Sequence, residues 1–548
     1  METEVKLENY SGYKWRKIKG VHFKGYYTLD GDTTSHVYRD LEACEQLQMI
    51  SNYSGLVNYL KKMQGHWAVV IEKGDKIWMA VDIARSMPLY FSDDGLYVSD
   101  SAEKIRAALG ITPDDVDKDA LVELAANYYL FGHKTVYANI QQLELGEIAE
   151  IKEGCVKFER YFYHLNHVEE RSKHEVKAHL AETIFKVFKR IKAVIGDRPV
   201  VLSMSGGYDS RLIGCMLKNV GIKDVSCYTY GKADSFEVKQ SKKNAEALGF
   251  RWTCVEMTDE WVSKQVDATA QAYFDSYTGH DFTAYMQNFP AVRKLHEEGW
   301  FKPGSVFLTG LCGDMPSGEY VHKRDMHIEH TVETAAMRLY NDAFMRYDVE
   351  ESLKIKWLDC MKNQLKTLPA EIKDFQSWQT AVDCIYTGMC HVHWYMHMNR
   401  PHDFFGYEWL MPLWDAEYLK VWYSVPAKYR IEQNLYEEWL LNDICAPYGL
   451  GQKKTIGGYS SKEWKRKLQY LVGGCINYVL LNIGFPFKRS QDINNFAPLE
   501  LQLFRNIKSK NLVNYRRSGM MQLLDHYLIE KRYGTDNWKY FTLKTKAL

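Results

Sequence analysis

The stretch VVLSMSGGYDSRLIG, residues 200–214, decides the fold of this 548-residue chain. An apolar run, Val200 to Leu202, ends in Ser-Gly-Gly. Tyr208-Asp209-Ser210-Arg211 then opens a segment with helical spacing. Glycines at the carboxyl end of a strand let backbone N–H groups turn toward a ligand with no side chain in the way. A helix starting near Ser210 adds unpaired N–H groups and its positive dipole end, and Ser205 and Ser210 add hydroxyls. Together these make a cradle for phosphate oxygens. It is not the P-loop, because no lysine follows the glycines. Asp209 belongs beside phosphate only if a divalent cation lies between them. A plain strand-to-helix turn with Asp209 as a helix cap is the structural alternative.

Working outward, PVVLSM, VSCYTYG, RWTCVEM and SVFLTG read as strands that alternate with helices. That alternation predicts a parallel sheet covered on both faces, with ligands at the carboxyl ends of its strands. SVFLTGLCGDMPSGEY, residues 305–320, repeats the logic of the first loop: apolar strand, Thr-Gly turn, an Asp, more glycines. Asp209 and Asp314 are thereby expected around one pyrophosphate–metal unit. Upstream, SKHEVKAHLAETIFKVFKRIKAVIG puts Val176, Leu180, Ile184, Phe188, Ile191 and Ile195 on one helical stripe. The first 160 residues have another texture, short strands and turns with a hairpin at Lys73-Gly74-Asp75 and helices near residues 56–63 and 101–109. Two domains are expected, residues 1–165 and 170–548, with a Trp- and Tyr-rich helical layer beyond residue 330.

Lys+Arg and Asp+Glu are both 70, which argues against a nucleic-acid partner. The 11 cysteines include no C-x-x-C pair, so neither a disulfide framework nor a zinc site is expected, and the chain reads as cytoplasmic. METEVKLENY has no apolar core, so no signal peptide is read there. LVGGCINYVLLNIGFPF, residues 471–487, is short and carries Asn477 and Asn482. It reads as a buried helix, not a membrane span.

Ser205-Gly206-Gly207-Tyr208-Asp209-Ser210 resembles the pyrophosphate-binding loop of N-type ATP pyrophosphatases. Over most of its length the chain resembles the asparagine synthetase and β-lactam synthetase superfamily. Leu308-Thr309-Gly310 through Asp314 matches that family's second loop, and Asp314, Pro316 and Gly318 give it the β-lactam synthetase form. GHWAVVIEKGDKIWMAVDIARSMPLYF, with Asp82, Pro88, Leu89 and Tyr90, resembles the strands of the family's amidohydrolase domain. MPLWD, residues 411–415, resembles the segment before its last helices. QKKTIGGY, residues 452–459, resembles the loop with its essential lysine, at Lys453 or the neighbouring Lys454. The resemblance implies an N-terminal Ntn-hydrolase-like αββα sandwich and a C-terminal parallel-sheet ATP pyrophosphatase domain with extra helices. It implies ATP and Mg²⁺, with Ser205, Gly206, Gly207, Asp209, Ser210, Tyr230, Gly231 and Gly310 at the nucleotide and pyrophosphate. Asp209 and Asp314 would hold the metal, and Lys453 and Asp314 would serve catalysis.

The implied reaction adenylates a substrate carboxylate, releases pyrophosphate and passes the acyl group to ammonia or an amine. The carboxylate is a small molecule or a saccharide, such as a sugar acid of a surface polysaccharide. A β-lactam synthetase or lasso-peptide-like cyclase, or a nucleotide-binding pseudoenzyme, are the competing readings, and a homodimer stays open. The chain departs from the pattern in two places. Glu2 stands where glutamine-using relatives carry a cysteine after Met1, and the first cysteine, Cys44, lies in a helix-like run, so the N-terminal domain reads as a degenerate, non-hydrolysing amidotransferase domain. Leu311 stands where the family carries Glu or Tyr, and Met315 replaces the acid that often follows the Asp of the second loop, which leaves His280, Asp281 and Glu319 as candidate bases.

Overall fold

The computed structural model describes residues 3–8, 12–31, 35–343, 351–453, 499 and 520–534. Lys454, the remainder of QKKTIGGY and the stretch at 471–487 lie outside the described residues.

Eleven strands form the N-terminal part: β1 (Glu4–Lys6), β2 (Arg16–Ile18), β3 (Val21–Leu29), β4 (Tyr38–Arg39), β5 (Met63–Lys73), β6 (Lys76–Val81), β7 (Tyr90–Ser92), β8 (Tyr97–Ser99), β9 (Ile140–Gln142), β10 (Glu147–Lys152) and β11 (Cys155–Arg160). They make two sheets, in the orders β1-β8-β7-β9 and β11-β10-β6-β5-β3-β2, with β4 added on β3. The hairpin at Gly74-Asp75 joins β5 to β6, and Gly74 takes the left-handed φ of 63° that the two-residue turn requires. Helix α1 (Asp40–Gln48) packs on the larger sheet; α2 (Tyr53–Leu60) follows it in the chain, and α3 (Ala102–Ala108) packs on the smaller sheet. Between the sheets, Phe91 of β7 meets Phe158 of β11 with ring centroids 5.5 Å apart. This is the helix–sheet–sheet–helix sandwich.

After α4 (Lys118–Asn127), the long α5 (Lys173–Ile195) starts at a capping box in which Ser172 and Glu175 satisfy each other's backbone N–H groups. Its stripe of Val176, Leu180, Ile184, Phe188, Ile191 and Ile195 is buried throughout. The C-terminal sheet is parallel: β12 (Val200–Ser203), β13 (Val225–Gly231), β14 (Arg251–Glu256), β15 (Val306–Leu308) and β16 (Glu408–Leu410), in the order β14-β13-β12-β15-β16. The expected strands are all present. The fifth, β16, comes from the region read as mostly helical and pairs Trp409 with Phe307 from about a hundred residues upstream. Helix α6 (Tyr208–Asn219) connects β12 to β13, and α7 (Phe236–Leu248) connects β13 to the edge strand β14.

Buried polar contacts join the two parts. Arg85 and Asp281, both fully buried, pair at 2.8 Å, and Tyr90 donates to Asp281 at 2.7 Å. Met411 N–H donates to His66 Nε2 at 3.2 Å, and Tyr13 donates to the Trp409 carbonyl at 2.8 Å. Such pairs are costly to break, because each would leave a buried polar group unpaired. Among the described residues no helix is long and apolar enough to cross a membrane.

Candidate active site

The carboxyl ends of β12, β13 and β15 open onto a cavity of about 720 Å³. Its walls include Ser203, Ser205, Gly207, Asp209 and Ser210 from the first loop, Thr229 and Tyr230 from the end of β13, and Thr309, Gly310, Asp314 and Glu319 from the second loop. Gln287, Asn288, Met398, Gln433, Tyr436, Glu437 and Lys453 close it. Of the residues singled out in the sequence, Gly206 and Gly231 do not line it. Gly206 is covered by Glu237 and Gln240 of α7, and Gly231 ends β13 at a φ of 139° that glycine accepts.

Gly207 is the N-cap residue of α6 and has no side chain with which to cap it. The loop's donors are instead held by neighbouring side chains. Gly206 N–H donates to Glu237 Oε1 at 2.8 Å, Gly207 N–H to Ser205 Oγ at 3.0 Å, and Ser205 N–H to Ser210 Oγ at 3.1 Å. A carboxylate oxygen of Glu237, from the first turn of α7, thus occupies a donor suited to a phosphate oxygen.

The two loops touch through backbone. A Cβ on Gly310 would lie 2.9 Å from Ser210 N, and one on Gly313 would lie 2.8 Å from the Asp209 carboxyl carbon. Only glycine lets Asp209 reach the N–H groups of Asp314 and Gly313. Tyr436, from the helix Asn434–Trp439, donates to Asp209 Oδ1 at 2.5 Å. Burial first, and the charge of Asp314 second, push the Asp209 carboxyl up to about 8. Glu319 is pushed up to about 8 as well, by burial and then by Asp314. On the rim, Gln433 donates to the Asp314 carbonyl at 3.2 Å. Glu432 and Gln433 both take left-handed φ values, 51° and 59°, an unfavourable backbone pair that turns Gln433 onto the second loop. Lys453, 81% exposed, pairs with Glu437 at 3.1 Å, and Tyr208 donates to the same carboxylate oxygen at 3.1 Å.

Of the three candidate bases, Glu319 faces the cavity. His280 bonds Tyr533 and Glu103, and Asp281 bonds Arg85 and Tyr90, so both serve the junction with the sandwich. Glu237, Gln433, Tyr436 and Glu437 were not singled out in the sequence. Glu237 sits on α7, and the other three sit at the start of the helix Asn434–Trp439, with no motif of their own, so only their common approach to the loops marks them. Among the described residues no group of three or more His, Cys, Asp or Glu side chains is arranged to hold a metal unaided. Two hard carboxylates facing a cavity suit Mg²⁺, which takes one or two protein carboxylates and completes its shell with phosphate and water.

The asparagine synthase family matches residues 191–450, and the glutamine amidotransferase domain family matches residues 32–162. No curated protein matches the chain. Among solved structures, the allosteric regulatory enzyme of purine biosynthesis is 13% identical, over 54% of this chain and 55% of that one, with a TM-score of 0.17. The glutamine phosphoribosylpyrophosphate amidotransferase from B. subtilis, complexed with ADP and GMP, is 12% identical over 69% of this chain and 77% of that one, with a TM-score of 0.18. The chain spans about half the length of the first, and neither likeness carries an argument at these scores. The two family matches fall in order on the sandwich and on the parallel sheet with its paired Gly/Asp loops, so this chain carries an amidotransferase-like domain followed by an asparagine synthase domain, the arrangement of the asparagine synthetase superfamily.

Proposed function

We propose that the cavity binds ATP with its phosphates on the Ser205–Ser210 loop, adenylates a substrate carboxylate, releases pyrophosphate and delivers the acyl group to ammonia or an amine. The observation that carries this reading is the joining of two Gly/Asp loops in one cavity with Lys453 at its edge. Ser205, Gly206, Gly207 and Ser210 would hold phosphate oxygens, Tyr230 and Gly231 would flank the base, and Gly310 lets the loops meet. Asp209 and Asp314 would hold Mg²⁺, which supplies positive charge to the phosphoryl oxygens. Lys453 would leave Glu437 for the phosphoryl group, where negative charge grows. Glu319 is the candidate base that reaches the cavity. Gln287, Asn288, Thr309 and Gln433 give the remaining wall amides and a hydroxyl, a lining that suits a hydroxyl-rich carboxylate such as a sugar acid.

The N-terminal domain would act as a scaffold that does not hydrolyse glutamine. Cys44 is fully buried on α1, its thiol donates to the Arg16 carbonyl at 3.4 Å, and burial pushes it up to about 11. A nucleophilic thiol needs exposure and a lowered pKa. The test is ATP–pyrophosphate exchange against a panel of carboxylic acids, sugar acids included. Exchange with one acid, lost in Lys453→Ala, is the expected result. MgATP binding with no exchange on any acid would favour a nucleotide-binding protein without turnover, and exchange with an acid that carries its own amine would favour ring closure.

A further inference from the structure

Arg211 stands one residue beyond the serine that ends the first loop, and its side chain points away from the cavity. It is 1% exposed. Its Nη1 donates to two carbonyls far along the chain, Leu450 at 3.1 Å and Gln452 at 2.8 Å, and its Nη2 reaches the Gly206 carbonyl at 3.5 Å. Its guanidinium lies 5.4 Å from the centre of the Tyr208 ring. Among the described residues no carboxylate pairs with it. A buried cation held only by carbonyls and a ring is costly to maintain, and these carbonyls have something in common. One belongs to the phosphate loop, and the other two lead directly to Lys453.

Further contacts make the same join. Lys243 of α7 donates to Gln452 Oε1 at 2.7 Å, while Tyr208 and Lys453 share Glu437 Oε1. The peptide before Lys453 is therefore fastened to the start of α6, and the lysine side chain itself is exposed and, among the described residues, paired with Glu437. Such an arrangement fixes the root of the side chain relative to the loop and leaves its tip free to exchange one anion for another. Lysine, a compact charge on a flexible stem, suits that exchange, and arginine's planar fork suits the gripping of several carbonyls at once.

We propose that Arg211 is the positioning residue for Lys453: by gripping the Leu450 and Gln452 carbonyls from within the phosphate loop's own helix, it sets Lys453 at the distance from which its ammonium turns from Glu437 to the phosphates of bound ATP. This rests on the reading of Lys453 given above. Arg211 touches neither nucleotide nor acid in this scheme and acts only through the backbone of Gln452.

The test uses the full chain with MgATP as the probe. MgATP affinity is measured by calorimetry, and the reactivity of Lys453 is followed by trace acetylation and mass spectrometry with and without MgATP. In the wild-type chain MgATP should protect Lys453 at least tenfold. Arg211→Met removes the grip, and Arg211→Lys keeps the charge but, shorter and without the guanidinium, does not reach the Leu450 and Gln452 carbonyls; if the first fails to fold, the second answers the question. Either folded variant should bind MgATP within about threefold of wild type and lose most of the protection of Lys453. Protection that persists in the variants would overturn the inference. So would a tenfold loss of MgATP affinity in Arg211→Met that Arg211→Lys restores, since Arg211 would then act by its charge. No protection in the wild-type chain would overturn the reading of Lys453 itself, and this inference with it.

Discussion

Replacing Glu237 by alanine should tighten MgATP binding. In the structure the Gly206 N–H donates to Glu237 Oε1 at 2.8 Å, and the other carboxylate oxygen lies 3.0 Å from where a Gly206 Cβ would stand. A phosphate that takes this N–H must first displace the carboxylate. A hydrogen bond to a charged group is worth about 1.5–3 kcal/mol net, and Glu237 is half-exposed, so the low end applies. Breaking it is a cost that binding carries in the wild-type chain and escapes in the variant. At roughly 1.4 kcal/mol per factor of ten, Glu237→Ala should lower the MgATP dissociation constant about tenfold. Removing a negative charge beside the phosphates acts in the same direction. Glu237→Gln, which keeps an acceptor without the charge, should fall between the two. Calorimetric titration at fixed Mg²⁺ reads the effect. Weaker binding in Glu237→Ala would refute the reasoning, because Glu237 would then be shaping the loop for the nucleotide instead of standing in its place.

Two further outcomes are expected. At Gly207 a Cβ would meet only Ser205 Oγ, at 3.0 Å, and the backbone is extended with φ −74°, so Gly207→Val should fold yet fill the phosphate position; the ATP-induced thermal stabilisation, about 2.7 kcal/mol at a hundredfold excess over the dissociation constant, should vanish while the melting temperature of the free chain changes little. Burial lowers His66 to about 3, and its Nε2 must stay unprotonated to accept the Met411 N–H, so its contribution is complete above its unfolded value of about 6.5 and is lost as pH falls toward 3. The stability difference between wild type and His66→Gln should therefore shrink by about 2 kcal/mol between pH 7 and pH 5, measured by denaturant titration at each pH, and a difference independent of pH would show that His66 does not titrate in this window.

Much of this protein is written locally in its sequence. The stripe from Val176 to Ile195 is buried because a period near 3.6 puts those residues on one face, and the turn at Gly74-Asp75 follows from the left-handed backbone that glycine accepts. The first loop is legible for the same reason: an apolar strand, two glycines and a helix start are consecutive, so their geometry is set by neighbours in the chain. Other features depend on segments that meet only in the folded chain. Strand β16 is three residues long, too short for any periodicity, and is a strand because Phe307 and its neighbours offer it a free sheet edge. Asp281 and Glu319 are both acids near loops, and no local pattern separates them; Arg85, 196 positions away in the chain, holds the first at the junction, while the turn after Asp314 leaves the second facing the cavity. Tyr436 reaches Asp209 across 227 positions and Arg211 reaches Gln452 across 241. The sequence by itself determined most of the elements and the Gly/Asp geometry of the first loop, through steric preferences and hydrophobic period that act over a few residues. Only the tertiary structure decided which distant side chains surround that loop, because hydrogen bonds and ion pairs depend on distances in space that the order of residues does not contain.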